Sequence, residues 1–264
     1  MDTQDRRAHL GAFSPPSPWE GMASIEQLEQ QLGQHLDVVE IFRAFGGPYG
    51  LCTPGALQQL ETVTTSGRLP LVTLEPWAPG AGATQPAWSC SQVAAGSADA
   101  ILTSWRDGLT QFDRPVVIRF AHEMNGNWYP WCVGVNKNRA KDYQNAFRRA
   151  ASFLRLPNVS LMWAPNCVDV PNGNRLEDTF PGTDVVQLVG LSGYGRNGRS
   201  FADTFAPAVD RVRKLTNAPI WVAECGARIG QQEFIAAAMS NVVPEIDTVV
   251  LFNASGSDDW RITS

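Results

Sequence analysis

The residues able to do chemistry gather at two places in this chain. Glu123 follows the largely apolar run Val116–Ala121 with only His122 between them, and Met124-Asn125-Gly126 comes next. Arg119, His122, Glu123 and Asn125 therefore crowd the end of a stretch suited to burial. Glu224 closes a second such run, Ile220–Ala223, just ahead of Cys225-Gly226. A carboxyl group taken out of water is costly, and either glutamate alone is as well explained by an ion pair with a nearby arginine or by a helix N-terminus. As a pair they suit glycoside hydrolysis, in which one carboxyl protonates the leaving oxygen while the other attacks the sugar or activates water.

Other chemistries lack their residues. The histidines are His9, His35 and His122, and none belongs to a convincing Ser-His-Asp set at a strand end. Gly11-Ala12-Phe13 runs on into Ser14-Pro15-Pro16 instead of opening a helix, so no phosphate-cradling loop follows the first strand and no nucleotide cofactor is expected. Cys52, Cys90, Cys132, Cys167 and Cys225 form neither a CxxC pair nor a Cys/His cluster with zinc spacing, so no metal is expected.

Two carboxyls a hundred residues apart in sequence can face one bond only if the fold gathers strand ends. The strand candidates are Leu10–Phe13, Val38–Phe45, Pro70–Trp77, Pro115–His122, Ser160–Pro165, Val185–Ser192, Pro219–Glu224 and Thr248–Asn253. Several are continuous apolar runs, as parallel strands covered on both faces require. Helical patterns alternate with them. Ser24 and Gln27 have capping-box spacing; Thr53-Pro54 starts a helix over Pro54–Ser66 that Gly67 stops. Further helices are predicted at Ala98–Phe112, Arg139–Leu154, Phe201–Leu215 and Gln232–Val243, whereas Val168–Thr183 reads as loop with a short helix at best. This alternation predicts an α/β fold, a (β/α)8 TIM barrel formed as one domain over residues 1–264, with the eighth helix missing after the last strand. An open doubly wound sheet is the alternative. Strands four and seven lie across the mouth of such a barrel, and their C-terminal ends are where catalytic groups belong.

Composition agrees with one globular barrel: 264 residues, 44% hydrophobic and 18% charged. A net charge of -5 and the lack of a basic run interleaved with aromatics argue against nucleic acid as a partner. No apolar stretch nears the roughly 20 residues that span a bilayer, so no membrane partner is expected either. The first ten residues lack the apolar core of a signal peptide. Of nine tryptophans, Trp77, Trp128, Trp131, Trp163 and Trp260 fall at or just past strand ends, where an indole face can stack on a sugar ring or simply fill the core. Trp128 and Trp131 follow Glu123 in a polar, Gly-containing loop, where the sugar-platform reading gains ground. Trp105 and Trp221 are read as packing residues.

The segment Arg119–Trp131, RFAHEMNGNWYPW, resembles the acid/base motif of glycoside hydrolase family 26, a family populated by β-mannanases and related enzymes. The resemblance continues through MWAPN at 162–166, Gly193-Tyr194, WVAECG at 221–226 and LFNASGSDDWRI at 251–262, and so spans most of the chain. It implies that Glu123 is the acid/base and Glu224 the nucleophile. It further implies that His122 orients the acid/base and contacts sugar, that Trp128 shapes the subsite, and that Tyr194 donates to the nucleophile. Trp260 is assigned the aromatic role near strand eight, with Phe252 as the alternative. The sequence departs from the family at Leu191–Tyr194, which replaces an Asp-bearing turn, at Cys225 after the nucleophile, and in the missing last helix.

Arg119 is read either as pairing with Glu224 and keeping it charged or as a purely structural residue, and Asn166, ahead of Asn125 and Asn253, is the first candidate to bind a substrate hydroxyl, with bonding to loop backbone as the alternative. With the nucleophile that the resemblance implies, the expected mechanism is a retaining double displacement, with carboxyls about 5–5.5 Å apart rather than the wider spacing of an inverting enzyme, on a polysaccharide or oligosaccharide substrate. β-1,4-Mannan is first among substrates; β-1,3-xylan, mixed-linkage β-glucan and a bacterial exopolysaccharide remain open, as does a non-catalytic carbohydrate-binding barrel. Loop positions also suggest Cys52–Cys90 and Cys132–Cys167 disulfides, which would favour a secreted protein, with a cytoplasmic one as the alternative; a monomer is expected.

Overall fold

Short runs of Val, Ile and Leu covered on both sides can satisfy their backbone groups only by pairing with like runs, and in this chain the pairing closes on itself. The computed structural model describes residues 8–262 apart from residues 49, 172 and 257. Its strands are β1 (His9–Phe13), β2 (Val38–Ala44), β3 (Leu69–Glu75), β4 (Val116–Phe120), β5 (Val159–Trp163), β6 (Leu188–Gly195), β7 (Ile220–Ala227) and β8 (Ile246–Phe252). Each pairs in parallel with the next, and β8 pairs with β1, so the sheet is a closed eight-stranded barrel. The α/β barrel expected from the sequence is the observed fold, and the open sheet is excluded.

The helices around it are α1 (Ala23–Leu32), α2 (Pro54–Thr65), α3 (Cys90–Ala95), α4 (Asp99–Phe112), α5 (Ala140–Leu154), α6 (Leu176–Thr179), α7 (Phe201–Arg213) and α8 (Gln231–Met239). Helix α2 starts as read: Pro54 is in its first turn and the Thr53 hydroxyl accepts from the Ala56 N–H at 3.2 Å. Helix α1 does not form the capping box expected at Ser24. It begins two residues earlier, at Ala23 with Met22 as N-cap, and the Ser24 hydroxyl instead bonds Ser17 Oγ and the Ser14 carbonyl, tying down the β1–α1 loop. Helix α3 was not read from the sequence; it is a short extra turn stopped by Gly96 at φ 109°. No helix follows β8 among the described residues.

Two apolar clusters hold the barrel. The larger lies between strands and helices and takes in Trp105, Trp131, Trp163, Phe147 and Phe205. The smaller fills the barrel's interior with Val38, Leu71, Val117, Met162, Trp221, Ala223 and Val250. Burying a large apolar side chain is worth about 1.5–3 kcal/mol, so the many residues of the outer cluster stabilise a frame stiff enough to carry polar groups above the inner one. Those groups begin one layer up, with Glu40, Thr73, Arg119 and Ser192, all buried.

Candidate active site

Glu224 reaches the barrel mouth through an irregularity in its strand. Leu191 pairs with Val222 but Ser192 with Glu224, so β7 carries one extra residue at Ala223. The same offset appears against β8, where Val222 pairs with Val249 and Cys225 with Leu251. Strand side chains alternate between faces, and Ala223 already points into the barrel. Strict alternation would turn Glu224 out toward the helices. The bulge lets both residues face inward and sends Cys225 into the outer cluster, as bulges beside active sites commonly re-aim a side chain.

Once inward, the Glu224 carboxylate is held by two donors. Arg119 Nη1 donates to Oε2 at 2.9 Å and the Tyr194 hydroxyl donates to Oε1 at 2.5 Å. Arg119 is fully buried and spans the barrel axis: Nη1 also donates to Glu40 Oε1 at 2.9 Å, and Nη2 to Ser192 Oγ at 2.5 Å. The Thr73 hydroxyl donates to the same Glu40 oxygen at 2.6 Å. The Arg119–Glu224 pair expected from the sequence is therefore present. Its second carboxylate, Glu40, was missed, although an acid in the middle of the apolar run Val38-Val39-Glu40-Ile41-Phe42 was the available signal. Burial pushes the Glu40 carboxyl up to about 7 despite the guanidinium beside it.

Glu123 sits just beyond β4, where the chain turns sharply. Ala121 and Glu123 both have positive φ, 46° and 54°. Non-glycine residues there cost on the order of 1–3 kcal/mol each and persist where the surroundings over-determine them, often at functional sites. Here the Glu123 N–H is locked to the Ala164 carbonyl at 2.7 Å. The side chain accepts from Trp128 Nε1 at 2.7 Å and from Asn166 Nδ2 at 2.8 Å. No arginine or lysine forms an ion pair with it among the described residues. Burial pushes its carboxyl up to about 7, and the charge of Glu224 adds to that rise.

The remaining expected site residues divide into those at the mouth and those behind it. Trp128 is half-buried and lies over Gly126, where a Cβ would come within 2.5 Å of the indole; only glycine admits the ring there. Asn166 is half-buried with its amide on Glu123. It is set there by Asn125, whose side chain bonds the Asn166 backbone N–H and carbonyl, each at 2.8 Å. Asn125 thus serves loop backbone, as does Asn253, which bonds Ser14 Oγ and the Ile262 N–H.

His122 is fully enclosed among Phe42, Tyr129 and Trp131, with Nε2 3.3 Å from the Tyr129 hydroxyl. Burial drives its pKa well below the usual histidine range, with the Arg119 charge adding to the effect, so the ring is neutral. Its Nδ1 is buried without a partner.

Three tryptophan assignments need correction. Trp131 is fully buried, donates to the His122 carbonyl at 2.6 Å and stacks on Tyr129 at 4.4 Å, so it braces the site from behind. Trp163 is fully buried against Phe180 on the helix side of β5. Neither can stack on a sugar. Trp260 is 4% exposed and packs on Tyr194 at 4.3 Å, so it positions the phenol that holds Glu224. The alternative aromatic, Phe252, is half-buried and stacks on Phe13 at 5.2 Å. Trp77 is half-buried with Tyr129 edge-on at 5.3 Å.

The disulfides also require correction, because all five cysteines are free. The Cys90 thiol donates to the Trp131 carbonyl and the Cys132 thiol to the Glu123 carbonyl. Cys52 packs against Gly108, and Cys167 against Gly193. Burial pushes the Cys52 and Cys132 thiols up to about 11 and about 12, which leaves both unreactive. Among the described residues, no group of three or more His, Cys, Asp or Glu side chains is placed to hold a metal ion, and no helix is long and apolar enough to cross a membrane.

Comparison with known proteins bears on this geometry. The model of the family described as "Glycosyl hydrolase family 26" matches residues 91–253. Endoglucanase H of Acetivibrio thermocellus is 27% identical over 97% of this chain and 29% of its own length. A mannan endo-1,4-beta-mannosidase of Bacillus subtilis is 24% identical over 61% of this chain and 45% of its own length. The chain thus spans less than half the length of these curated relatives. The solved structure of the Bacillus subtilis mannanase BCman superposes with a TM-score of 0.72 at 19% identity, covering 97% of this chain and 82% of that one.

Proposed function

The chain belongs to glycosyl hydrolase family 26, and from that premise we propose that it is a retaining, endo-acting hydrolase of a β-1,4-linked polysaccharide, β-mannan first, with Glu224 as nucleophile and Glu123 as acid/base. That it is a glycoside hydrolase follows from the family. The finer reading is carried by one observation: two buried carboxyls, one just past β4 and one beside the bulge of β7, have opposite surroundings, Glu224 with a guanidinium and a phenol, Glu123 with two neutral N–H donors.

In this reading the Glu224 carboxylate attacks the anomeric carbon as the glycosidic C–O bond breaks, and the Glu123 proton passes to the departing oxygen. A carboxyl raised to about 7 holds that proton near neutrality. Once Glu224 is esterified its charge is gone, and with it one of the causes that raise Glu123. Glu123 can then accept a proton from water as the water oxygen attacks the same carbon and frees Glu224.

A second reading, hydrolysis of a β-glucan, is favoured by endoglucanase H, which aligns over nearly the whole chain. The test is reducing-sugar release from mannan, β-1,3-xylan, mixed-linkage β-glucan and an exopolysaccharide panel by wild type, Glu123→Ala and Glu224→Ala, with NMR of the first product. Activity on one polymer lost in both variants, with a first product of retained configuration, supports the reading; an inverted product overturns the double displacement. Action on a polymer too large to enter a cell places the enzyme outside it in this reading, although the free cysteines remove disulfides as a reason for export.

A further inference from the structure

The amide that holds Glu123 is one end of a chain of hydrogen bonds running from the barrel mouth out to the helix layer. Asn166 Oδ1 accepts from the Val168 N–H at 2.9 Å, which leaves Nδ2 as the atom facing Glu123, at 2.8 Å. The backbone of Asn166 is clasped by Asn125, whose Oδ1 accepts from the Asn166 N–H and whose Nδ2 donates to the Asn166 carbonyl. The same Nδ2 also donates to Asp169 Oδ1 at 2.8 Å. A carboxylate only accepts, so Asp169 admits the Asn125 amide in one orientation, the one that clasps Asn166.

Asp169 is in turn held from the helices. Its Oδ1 accepts from the Leu176 N–H at 3.1 Å, and its Oδ2 from Arg211 Nη2 at 2.7 Å. Arg211 lies on α7, and its Nε and Nη2 donate to the two oxygens of Glu177 on α6, each at 2.7 Å. Those bonds hold the Glu177 carboxyl down at about 2, so the pair stays charged at neutral pH. The side chains of Asp169, Glu177 and Arg211 are 14%, 21% and 26% exposed, too enclosed for a solvated surface pair of little consequence. A guanidinium shared by two carboxylates fixes position as well as charge. Tying the loop after β5 to the helices needs only the Arg211 and Leu176 bonds; the bond to Asn125 turns the same carboxylate toward the acid side of the mouth. Helix α7 also follows β6, the strand that brings Tyr194 to Glu224. A helix of the nucleophile side therefore anchors the acid side.

We propose that Asp169 and Arg211 are positioning residues for the acid/base: Arg211 holds Asp169, Asp169 sets Asn125, Asn125 sets Asn166, and Asn166 keeps the Glu123 carboxyl where its proton can pass to the leaving oxygen. It rests on the hydrolase reading above and extends it to two side chains that touch neither catalytic carboxyl. The test compares kcat/KM on the polymer that wild type cleaves with kcat/KM on an aryl β-glycoside whose leaving group departs without a proton. The variants are Asp169→Ala, Asp169→Asn, Arg211→Met and Arg211→Lys, with folding checked by circular dichroism. This ratio reports bond breaking and leaves out the later step in which Glu123 is the base. A general acid is worth about 10^2–10^4-fold, and a misplaced one forfeits part of that. Asp169→Ala and Arg211→Met therefore lower the polymer value by about tenfold and the aryl value by less than about twofold, and Arg211→Lys, which keeps the cation, recovers most of the loss. A merely structural role would lower both values alike; an equal fall on the two substrates, or none on polymer, in folded Asp169→Ala overturns the proposal. Where Asp169→Ala does not fold, Asp169→Asn, which keeps the side chain's shape but turns a donor toward Arg211 or Asn125, decides by the same ratio. A wild type inert on both substrates would instead overturn the hydrolase reading and this inference with it.

Discussion

The β6–β7 side and the β4–β5 side of the barrel mouth each present one carboxyl, and they treat it in opposite ways. On the first, a bulge turns Glu224 inward onto a fully buried guanidinium and a phenol. On the second, a left-handed turn brings Glu123 between an indole and an amide, with no cation in an ion pair with it among the described residues. Charged donors suit a group that must carry negative charge; neutral donors and burial suit one that must carry a proton until it is needed. Identical side chains thus acquire different roles from what the strands bring beside them.

The hardest way to break this asymmetry is to delete each carboxyl and change the leaving group. On polymer, Glu224→Ala is expected to lower kcat by about 10^4-fold or more and Glu123→Ala by about 10^2–10^4-fold. On an aryl glycoside with a good leaving group, Glu123→Ala should recover most of the bond-breaking rate, since that oxygen departs without a proton, and Glu224→Ala should not. Equal recovery of both variants would mean that the two sides are interchangeable.

Arg119 is the next target, because it is the part of the nucleophile side that reaches across to β2. In Arg119→Met both Glu40 and Glu224 lose their cation inside the barrel, a change that typically costs about 3–5 kcal/mol. Thermal denaturation should register that loss together with near-complete inactivation. The milder variant, Tyr194→Phe, removes one hydrogen bond to the nucleophile and leaves the ring on Trp260. A bond to a charged group is worth about 1.5–3 kcal/mol, so kcat should fall roughly 10–100-fold, with a smaller drop in melting temperature than in Arg119→Met.

How much of this contrast is legible without coordinates depends on the kind of residue. Glu123 and Glu224 stand out because each ends a run of apolar residues, and the closed barrel follows from eight such runs alternating with helices. Glu40 and Glu75 are visible as acids inside or at the end of similar runs, but only the register shows that they point inward. The bulge at Ala223 has no signature in Ile220–Gly226; it is a property of how β7 meets both neighbours. Tryptophan position was the weakest guide. Trp128, Trp131 and Trp163 all follow or end strands, yet where an indole faces is set by strand parity at Trp163 and by the path of the loop at Trp128 and Trp131, and Trp131 and Trp163 point into the frame.

pH separates the sides without mutation. Glu123 must be protonated to act as acid, so kcat/KM on polymer should fall as pH rises through about 7. The same shift has a stability consequence of fixed sign. A carboxyl whose folded value lies above its unfolded one of about 4.3 binds its proton more tightly in the native state. That stabilisation is complete below the unfolded value and is lost as pH climbs through the folded one. Glu123 and Glu75, raised to about 7 and about 8, therefore predict a melting temperature that declines between pH 5 and 8. In Glu75→Gln the upper part of that decline should flatten; an unaltered curve would mean that the Glu75 carboxyl is not held neutral.

The smallest effect tests the acid side alone. The hydrogen bonds from Asn166 and Trp128 to Glu123 oppose the rise caused by burial, because both donors favour the ionised form. Asn166→Ala removes one of them at a half-buried position where the backbone remains tied by Asn125. The alkaline limb of kcat/KM should then move to higher pH by a fraction of a unit. A limb that moves down instead would mean that water entering the vacated space solvates the carboxylate better than the amide did. The acid side would then depend on dryness more than on its donors, whereas the nucleophile side depends on its donors by construction.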